Sequence, residues 1–341
     1  MKIAILHGPR DLRIEDQELD TSNLAPDQVW VRTIVTGFKI GTDRGNYEGA
    51  EDVPGAPVYP RWVGDSNLGE VRGVGSNVTG FKVGDRVLSQ MHHQSEYICT
   101  PAEGALVTVP DGVEPEDAVF ANLYSLSAHC YHKGLFRPGE TVAVVGLGTL
   151  GLGAVAVGPL YGARTAAIGN SDLRLEMAKN MGAHGLFRSD DPDLAKKLDE
   201  FSSGRGIDLV ILTANPWPAY RTAVEIVRDG GRVSIVSLLG RGEEGLEFNP
   251  LSMQLFYIKG ISLIAVSGED PNLFPGAGGD VQQTRHRSHL FTLMADGLLE
   301  PKRLVTHRLH YTRMVEAYEM AYHRDKTIMN VVFDWRDAHG D

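Results

Sequence analysis

The chain has 341 residues, 42% of them hydrophobic, enough for about two domains that each bury a core. A net charge of -11 with no basic run argues against nucleic acid or an anionic membrane surface as partner. Two cysteines, Cys99 and Cys130, form neither a disulfide framework nor a Cys-x-x-Cys metal site, and the opening MKIAILHGPRD is too briefly apolar for a secretory signal, so a cytoplasmic protein is expected.

Up to about residue 118 the chain predicts short strands, 28–36, 69–73, 85–89 and Glu96–Cys99, punctuated by glycine and proline in the style of an irregular β domain. The run TVAVVGLGTLG then carries a β-branched strand, Thr141–Val145, straight into a glycine turn. Gly146, Gly148 and Gly151 have the G-x-G-x-x-G spacing, which permits a tight turn, close approach of a pyrophosphate, and close packing of the helix opened by Thr149 and Leu150. The free N–H groups of that helix end would face phosphates, so a dinucleotide is the expected ligand. The uncharged stretch 141–163 has the length of a membrane span, but its glycines and Pro159 fit strand, turn and helix.

Strands and helices alternate from there: helix 150–161, strand 164–168, helix 173–183, strand 208–213, helix 219–231, strand 232–238 and strand 261–266. Such alternation makes a parallel sheet with helices on both faces, hence an α/β class. Residues 267–287, glycine-rich at 274–280 and polar to Arg287, predict a loop near a substrate entrance or an interface. From Lys302 the mixed style returns, with helix 312–323 and strand 328–334.

Cofactor choice is read at the end of the second strand of the alternating region. An NAD enzyme places an acid there for the ribose hydroxyls, whereas this chain has Gly169 followed by Asn170 and Ser171 as donors and Arg174 as a phosphate partner. NADP is therefore expected, with NAD the alternative if Asp172 reaches the ribose and Arg174 is an ordinary helix-face charge. Thr213-Ala214-Asn215 and Ser237-Leu238-Leu239 follow later strands at their C-terminal ends, where α/β sheets bind ligands.

The order of these pieces resembles the medium-chain dehydrogenase/reductase superfamily, which contains zinc alcohol and polyol dehydrogenases and zinc-free quinone reductases. The landmarks are GTD at 41–43, VGDSNLGEVRGVGSNVTGFKVGDRV at 63–87, SEYICTPA from Ser95, the glycine turn, and VRDGGRVSIVSLLG from Val227. The resemblance implies a GroES-like catalytic domain built from both chain ends, 1–121 and 267–341, and a Rossmann-fold domain at 122–266, with the active site in the cleft. It also likens strand 261–266 to the edge through which family members dimerise, so a homodimer or homotetramer is expected.

Departures from the family pattern concern the metal. Zinc members carry a cysteine where this chain has Ile40, beside Lys39; a Gly-His-Glu where it has Gly64, Asp65 and Ser66; and a further donor where it has Asn122. Catalytic zinc needs three thiolate, imidazole or carboxylate donors, and only Asp65 qualifies. The lobe of the structural zinc is also missing between Asp85 and Ser95. His92 and His93 could join Asp65 in another donor set, but neighbouring residues of an extended segment point to opposite faces. A zinc-free site is expected.

Without a metal, the resemblance puts Thr42 at the proton-relay hydroxyl and Asp43 at a supporting carboxylate, with inherited fold residues as the alternative for both. Lys39 is either a proton donor or oxyanion stabiliser or a solvated surface charge, and His92 or His93 could serve as general acid/base. The motif VYPRWVG at 58–64, followed by Asn67-Leu68-Gly69-Glu70, resembles zinc-lacking members of the bacteriochlorophyllide 3-hydroxyethyl dehydrogenase type. It makes Tyr59, Arg61, Trp62, Asn67 and Asn122 candidate pocket residues, with packing as the alternative for Trp62. Three functions remain open: an NADP(H)-dependent, zinc-independent alcohol, polyol or ketone oxidoreductase; an enone or quinone C=C reductase; and a non-catalytic nucleotide-binding relative.

Overall fold

The computed structural model describes residues 1–50, 58–241, 243–246, 248–266 and 279–339, and the chain divides into two compact units. One comprises Met1–Asn122 with Pro271–Asp341, the other Leu123–Asp270.

The first unit opens with a hairpin, β1 (Lys2–Leu6) and β2 (Leu12–Asp16), joined on the other edge of β1 by β4 (Arg61–Trp62). Between them lie β3 (Val29–Lys39) and helix α1 (Ile40–Glu48). Alternation along β3 buries Val29, Val31, Thr33 and Val35, the pattern of a strand with one face on a core. After β4 come β5 (Asn67–Val74), β6 (Arg86–Ser89), β7 (Glu96–Cys99), β8 (Val107–Thr108) and helix α2 (Pro115–Ala118); helix α3 (Ala121–Lys133) begins at the last two residues of this segment and continues into the second unit.

The second unit contains β9 (Thr141–Val145), α4 (Thr149–Leu160), β10 (Arg164–Gly169), α5 (Asp172–Asn180), β11 (Gly185–Arg188), α6 (Leu194–Phe201), β12 (Ile207–Leu212), α7 (Trp217–Ile226), β13 (Val227–Ile235) and β14 (Ser262–Ala265). The strands pair in parallel in the order β11-β10-β9-β12-β13-β14. Counted within the unit this is 3-2-1-4-5-6, the doubly wound dinucleotide-binding order, whose direction reverses between β9 and β12. All five residues of β9 are buried, as a strand covered on both faces requires.

The chain then returns to the first unit with α8 (Gly279–Ala295), β15 (Val305–His310), α9 (Met314–Tyr322) and β16 (Asn330–Asp334). These complete a seven-stranded sheet, β15-β16-β3-β5-β6-β8, with β7 also on β3. One edge of β3 is shared in tandem, its first residues by β7 and its last by β16. Behind it Phe38, Tyr47, Tyr318, Phe333 and Trp335 form an aromatic core with ring centroids 4.8 Å apart for Phe38 and Tyr318.

Two elements differ from expectation. Residues 227–231 belong to β13 rather than to the preceding helix, because Val227 is buried against Ile207 and Gly230, at φ 67°, turns the chain where a helix cannot continue. Residues 279–287 are helical rather than loop: the apolar anchors of α8, Leu290, Phe291 and Met294, all lie in its second half, so its polar first half shows no stripe. The rest of the expected loop, including Phe274, lies outside the described residues. Among the described residues no helix is long and apolar enough to cross a membrane.

Candidate functional site

In the Leu123–Asp270 unit the ligand-binding features gather where the strand order reverses. Gly146 adopts φ 100°, a conformation open to glycine, and an added Cβ would meet Ala214 N at 2.7 Å. An added Cβ at Gly151 would lie 1.9 Å from Gly146 O, so this helix residue must lack a side chain. At Gly148 the same atom would meet nothing within 4 Å. Two glycines are thus demanded by the protein's own packing, while the middle one faces open space at the N-terminus of α4, which suits a pyrophosphate. Thr149 and Leu150 begin that helix, and Thr213 closes the turn from β12 by donating its hydroxyl to Gly146 O at 2.8 Å.

Past β13, Leu238 N–H donates to Asn215 Oδ1 at 3.1 Å, tying the two strand-end loops together. The Ser237 hydroxyl beside it is buried without a partner. At the end of β10, an added Cβ on Gly169 would approach Leu147 Cδ1 to 2.9 Å, which leaves no room for an acid unless Leu147 moves. Ser171 is the N-cap of α5 yet makes no side-chain cap bond. Arg174 is partly buried with Nη1 3.8 Å from Met177 Sδ, and burial lowers its pKa.

Sequence reasoning missed Arg188. Parallel register sets it directly beside Gly169, and its guanidinium donates to Asn170 O at 3.1 Å, Asp172 at 2.5 Å and Asp190 at 2.8 Å. The pairing of Asp172 with Arg188 turns that carboxylate toward an internal partner. No local pattern signals it: Gly185–Arg188 is not among the strands that the sequence predicts, and its place beside Gly169 comes from strand order.

In the first unit the chemistry collects where β3 runs into α1. Lys39 ends the strand, and its Nζ donates to Asp65 Oδ2; its side chain is 16% exposed against 44% for Asp65. Asp43 accepts the Lys39 backbone N–H at 2.6 Å and a weak bond from Tyr318 Oη at 3.4 Å. Burial first, and the nearby Asp65 charge second, push the Asp43 carboxyl up to about 7. Ile40 packs against the aromatic core, and Thr42 is exposed in the first turn of α1.

The two histidines diverge as their spacing implied. His93 is fully buried, shares a 2.7 Å bond through Nδ1 with Thr36 Oγ1, and is held neutral by burial, its pKa lowered to about 3. Its Nε2 has no partner, and neither does Asp65 Oδ1. His92 lies partly exposed, Nδ1 2.9 Å from Gly64 O, and stacks on Trp62 with centroids 5.7 Å apart.

Asn67 is buried with its amide spent on Thr33 and on His92 O at 3.0 Å, leaving it a sheet-binding role. Asn122 is spent too, donating to Ser89 O at 2.9 Å and Asp65 O at 3.3 Å and accepting from the buried Arg287 at 3.2 Å. Arg61 donates to Asn46 O at 2.9 Å and lies over the Tyr59 ring at 5.1 Å. Lys39, Asp65 and Asn122 are therefore brought together with His93 nearby, whereas Thr42 and the Trp62/His92 stack stand at the surface.

A doubly wound sheet with a glycine turn open to a pyrophosphate defines a dinucleotide-dependent enzyme of the α/β class. Comparison with known proteins then fixes the family. Residues 25–156 match the family described as alcohol dehydrogenase GroES-like domain, and residues 149–278 that described as zinc-binding dehydrogenase. Sorbitol dehydrogenase of Bacillus subtilis (strain 168) is 27% identical, with 94% of this chain and 93% of that protein covered. Galactitol-1-phosphate dehydrogenase of Escherichia coli superposes with a TM-score of 0.82 at 20% identity over 98% of this chain and 100% of that one. Alcohol dehydrogenase TADH of Thermus sp. ATN1 gives 0.80 at 22% identity over 98% and 99%. The chain belongs to the medium-chain dehydrogenase/reductase superfamily, with the zinc alcohol dehydrogenase-like fold, and is a nicotinamide-dependent oxidoreductase.

Proposed function

We propose that the protein is an NADP(H)-dependent, zinc-independent oxidoreductase that passes hydride between nicotinamide C4 and the carbinol carbon of an alcohol, polyol or ketone. The observation that carries it is the Lys39–Asp65 pair. Of the three positions where the family holds catalytic zinc, Ile40 has no donor atom, Asn122 has both amide ends engaged, and Asp65 binds an ammonium. Among the described residues no group of three or more His, Cys, Asp or Glu is placed to hold a metal. These residues do not fit a catalytic zinc, which needs three thiolate, imidazole or carboxylate donors.

For the cofactor, the shape of the turn around Gly146, Gly148, Thr149, Leu150 and Gly151 supports a dinucleotide, with Thr213, Ser237 and Leu238 along the strand ends. Gly169 under Leu147, the unspent Ser171 hydroxyl, Asn170, and the cations Arg174 and Arg188 favour a 2′-phosphate. Tyr59 and Trp62 remain candidate substrate contacts. Strand β14, at one edge of its sheet, with exposed Leu251, Met253, Tyr257 and Ile258 just before it, supports self-association as a dimer or tetramer.

The test is nicotinamide absorbance on chelator-treated protein with NADPH, against ketones and aldehydes in one panel and enones and quinones in another. Carbonyl turnover that survives chelation is the expected result. Turnover of enones alone would make the protein a C=C reductase, and one zinc per subunit lost together with activity would refute zinc independence. NADPH binding with no turnover of either panel would make it a non-catalytic relative.

A further inference from the structure

The cluster below β3 has more polar capacity than it uses. The Lys39 ammonium has three N–H bonds, of which Asp65 Oδ2 takes one. Asp65 Oδ1 and His93 Nε2 are both buried with no partner. The other carboxylate at hand, Asp43, spends Oδ2 on the Lys39 backbone rather than on its side chain. Buried polar atoms are almost always satisfied in native proteins, and of the unspent positions here the two remaining N–H bonds of Lys39 are the ones that can donate to a further oxygen, whereas Asp65 Oδ1, an acceptor, can only take a hydrogen from one. His93 cannot supply the positive charge, being neutral and fully buried.

We infer that the Lys39 ammonium, held by Asp65, is the acid and electrophile of the reaction, a role that rests on the zinc-independent reading above. When bound, NADPH would supply a hydride, its dihydronicotinamide C4–H bond breaking with the electron pair as the new C–H bond forms at the carbonyl carbon. The carbonyl π pair moves to oxygen, which takes a proton from Lys39 Nζ and leaves a neutral amine for solvent to reprotonate. NADPH is oxidised to NADP+ as the carbonyl becomes an alcohol; oxidation runs the same steps backwards, with the amine as base. A point charge on a flexible stem suits this task, because ammonium both attracts a developing oxyanion and gives up its proton, as guanidinium does not. Asp65 is a positioning residue, fixing where the ammonium sits.

The experiment is Lys39→Cys followed by alkylation with bromoethylamine, in chelator, using whichever carbonyl the NADPH assay identifies. The resident thiols do not interfere: Cys99 and Cys130 are buried, and burial pushes both up to about 12. Lys39→Cys is expected to lower kcat by about 10²- to 10⁴-fold while NADPH binding stays within about twofold. Alkylation, which rebuilds an ammonium on a stem of nearly the same length, is expected to restore most of the loss. Lys39→Arg, keeping charge without a transferable proton, is expected to remain slow. If Lys39→Cys folds poorly, Lys39→Ala, which leaves space for a small amine, rescued by added ethylamine gives the same reading. Turnover of Lys39→Cys within twofold of the parent, or a loss that alkylation and ethylamine both leave unrepaired, would overturn the role of Lys39 and leave the carbonyl reductase reading standing. Turnover of enones alone, or of neither panel, by the parent would overturn both.

Discussion

Two strand-to-helix junctions, β9 into α4 and β3 into α1, place the chemistry of this protein, and they carry it differently. At the first, the chemistry is set by backbone: Gly146 and Gly151 are required by atoms 1.9 to 2.8 Å from where a Cβ would stand, while Gly148 has open space beside it. At the second, the proposed function resides in side chains: Asp43 accepts the Lys39 backbone N–H, so the start of α1 is held by a bond that does not involve the side chain of Ile40. A backbone-determined site tolerates almost no substitution, whereas a side-chain-determined site can be rewritten on an intact frame. That contrast fits the proposed zinc-independent reading.

The strongest way to break the contrast is Gly151→Ala. Its methyl would collide with Gly146 O, so NADPH affinity is expected to fall by more than about 100-fold, or the unit to lose stability by about 2–4 kcal/mol; fluorescence titration and thermal unfolding distinguish the two. Unchanged affinity and stability would show that the turn is less constrained than its geometry implies.

Next in size is Arg188→Ala. Loss of charge-assisted bonds to a 2′-phosphate is expected to weaken NADPH by about 10- to 100-fold and NADH by less than about threefold. Arg174→Ala is expected to do less, since that side chain is already partly buried against Met177. Equal losses of NADPH and NADH would remove the basis for NADP preference.

A third test sharpens the other side. Asp43, with a folded pKa near 7 against 3.8 unfolded, holds its proton more tightly when folded. It therefore favours the folded state fully below about pH 4, an advantage lost as pH rises through 7. Relative to the parent, Asp43→Asn is expected to gain about 1–3 kcal/mol between pH 4.5 and 7.5, read from thermal unfolding at the two pH values. His93 acts with the opposite sign: its pKa is about 3 folded against 6.5 unfolded, so the stability it supports is present above 6.5 and lost as pH falls toward 3. A flat difference between parent and Asp43→Asn would mean that Asp43 stays ionised. The smallest effect is that of chelator, expected to change the unfolding temperature by less than about 1 °C, because no bound metal would be there to lose.

Much of the second unit was legible because parallel strands buried on both faces read as apolar runs, and glycine spacing reads directly as turn geometry. Thr141–Val145 and Glu96–Cys99 appear at their expected bounds. Arg188 escaped because its importance comes from strand order rather than from any local pattern. In the first unit, the side-chain types at Ile40, Asp65 and Asn122 were legible because donor chemistry is read from residue identity alone. That Lys39 reaches Asp65 across 26 positions, and that Arg287 from α8 engages Asn122, depends on pairings no linear pattern encodes. The helical start of α8 was hidden for a related reason, its apolar anchors coming late.

The place of β16 also sets an order of assembly. Residues 330–334 fill the position between β15 and β3 in the seven-stranded sheet, although β3 leaves the ribosome some 290 residues earlier. Every strand of the parallel sheet lies within residues 141–265, so that unit can close while synthesis continues. Until residue 334 emerges, the C-terminal half of β3 has an open edge, and open edges recruit other strands. During synthesis, the half of the enzyme that carries Lys39 is thus the last to be completed and the longest exposed to mispairing.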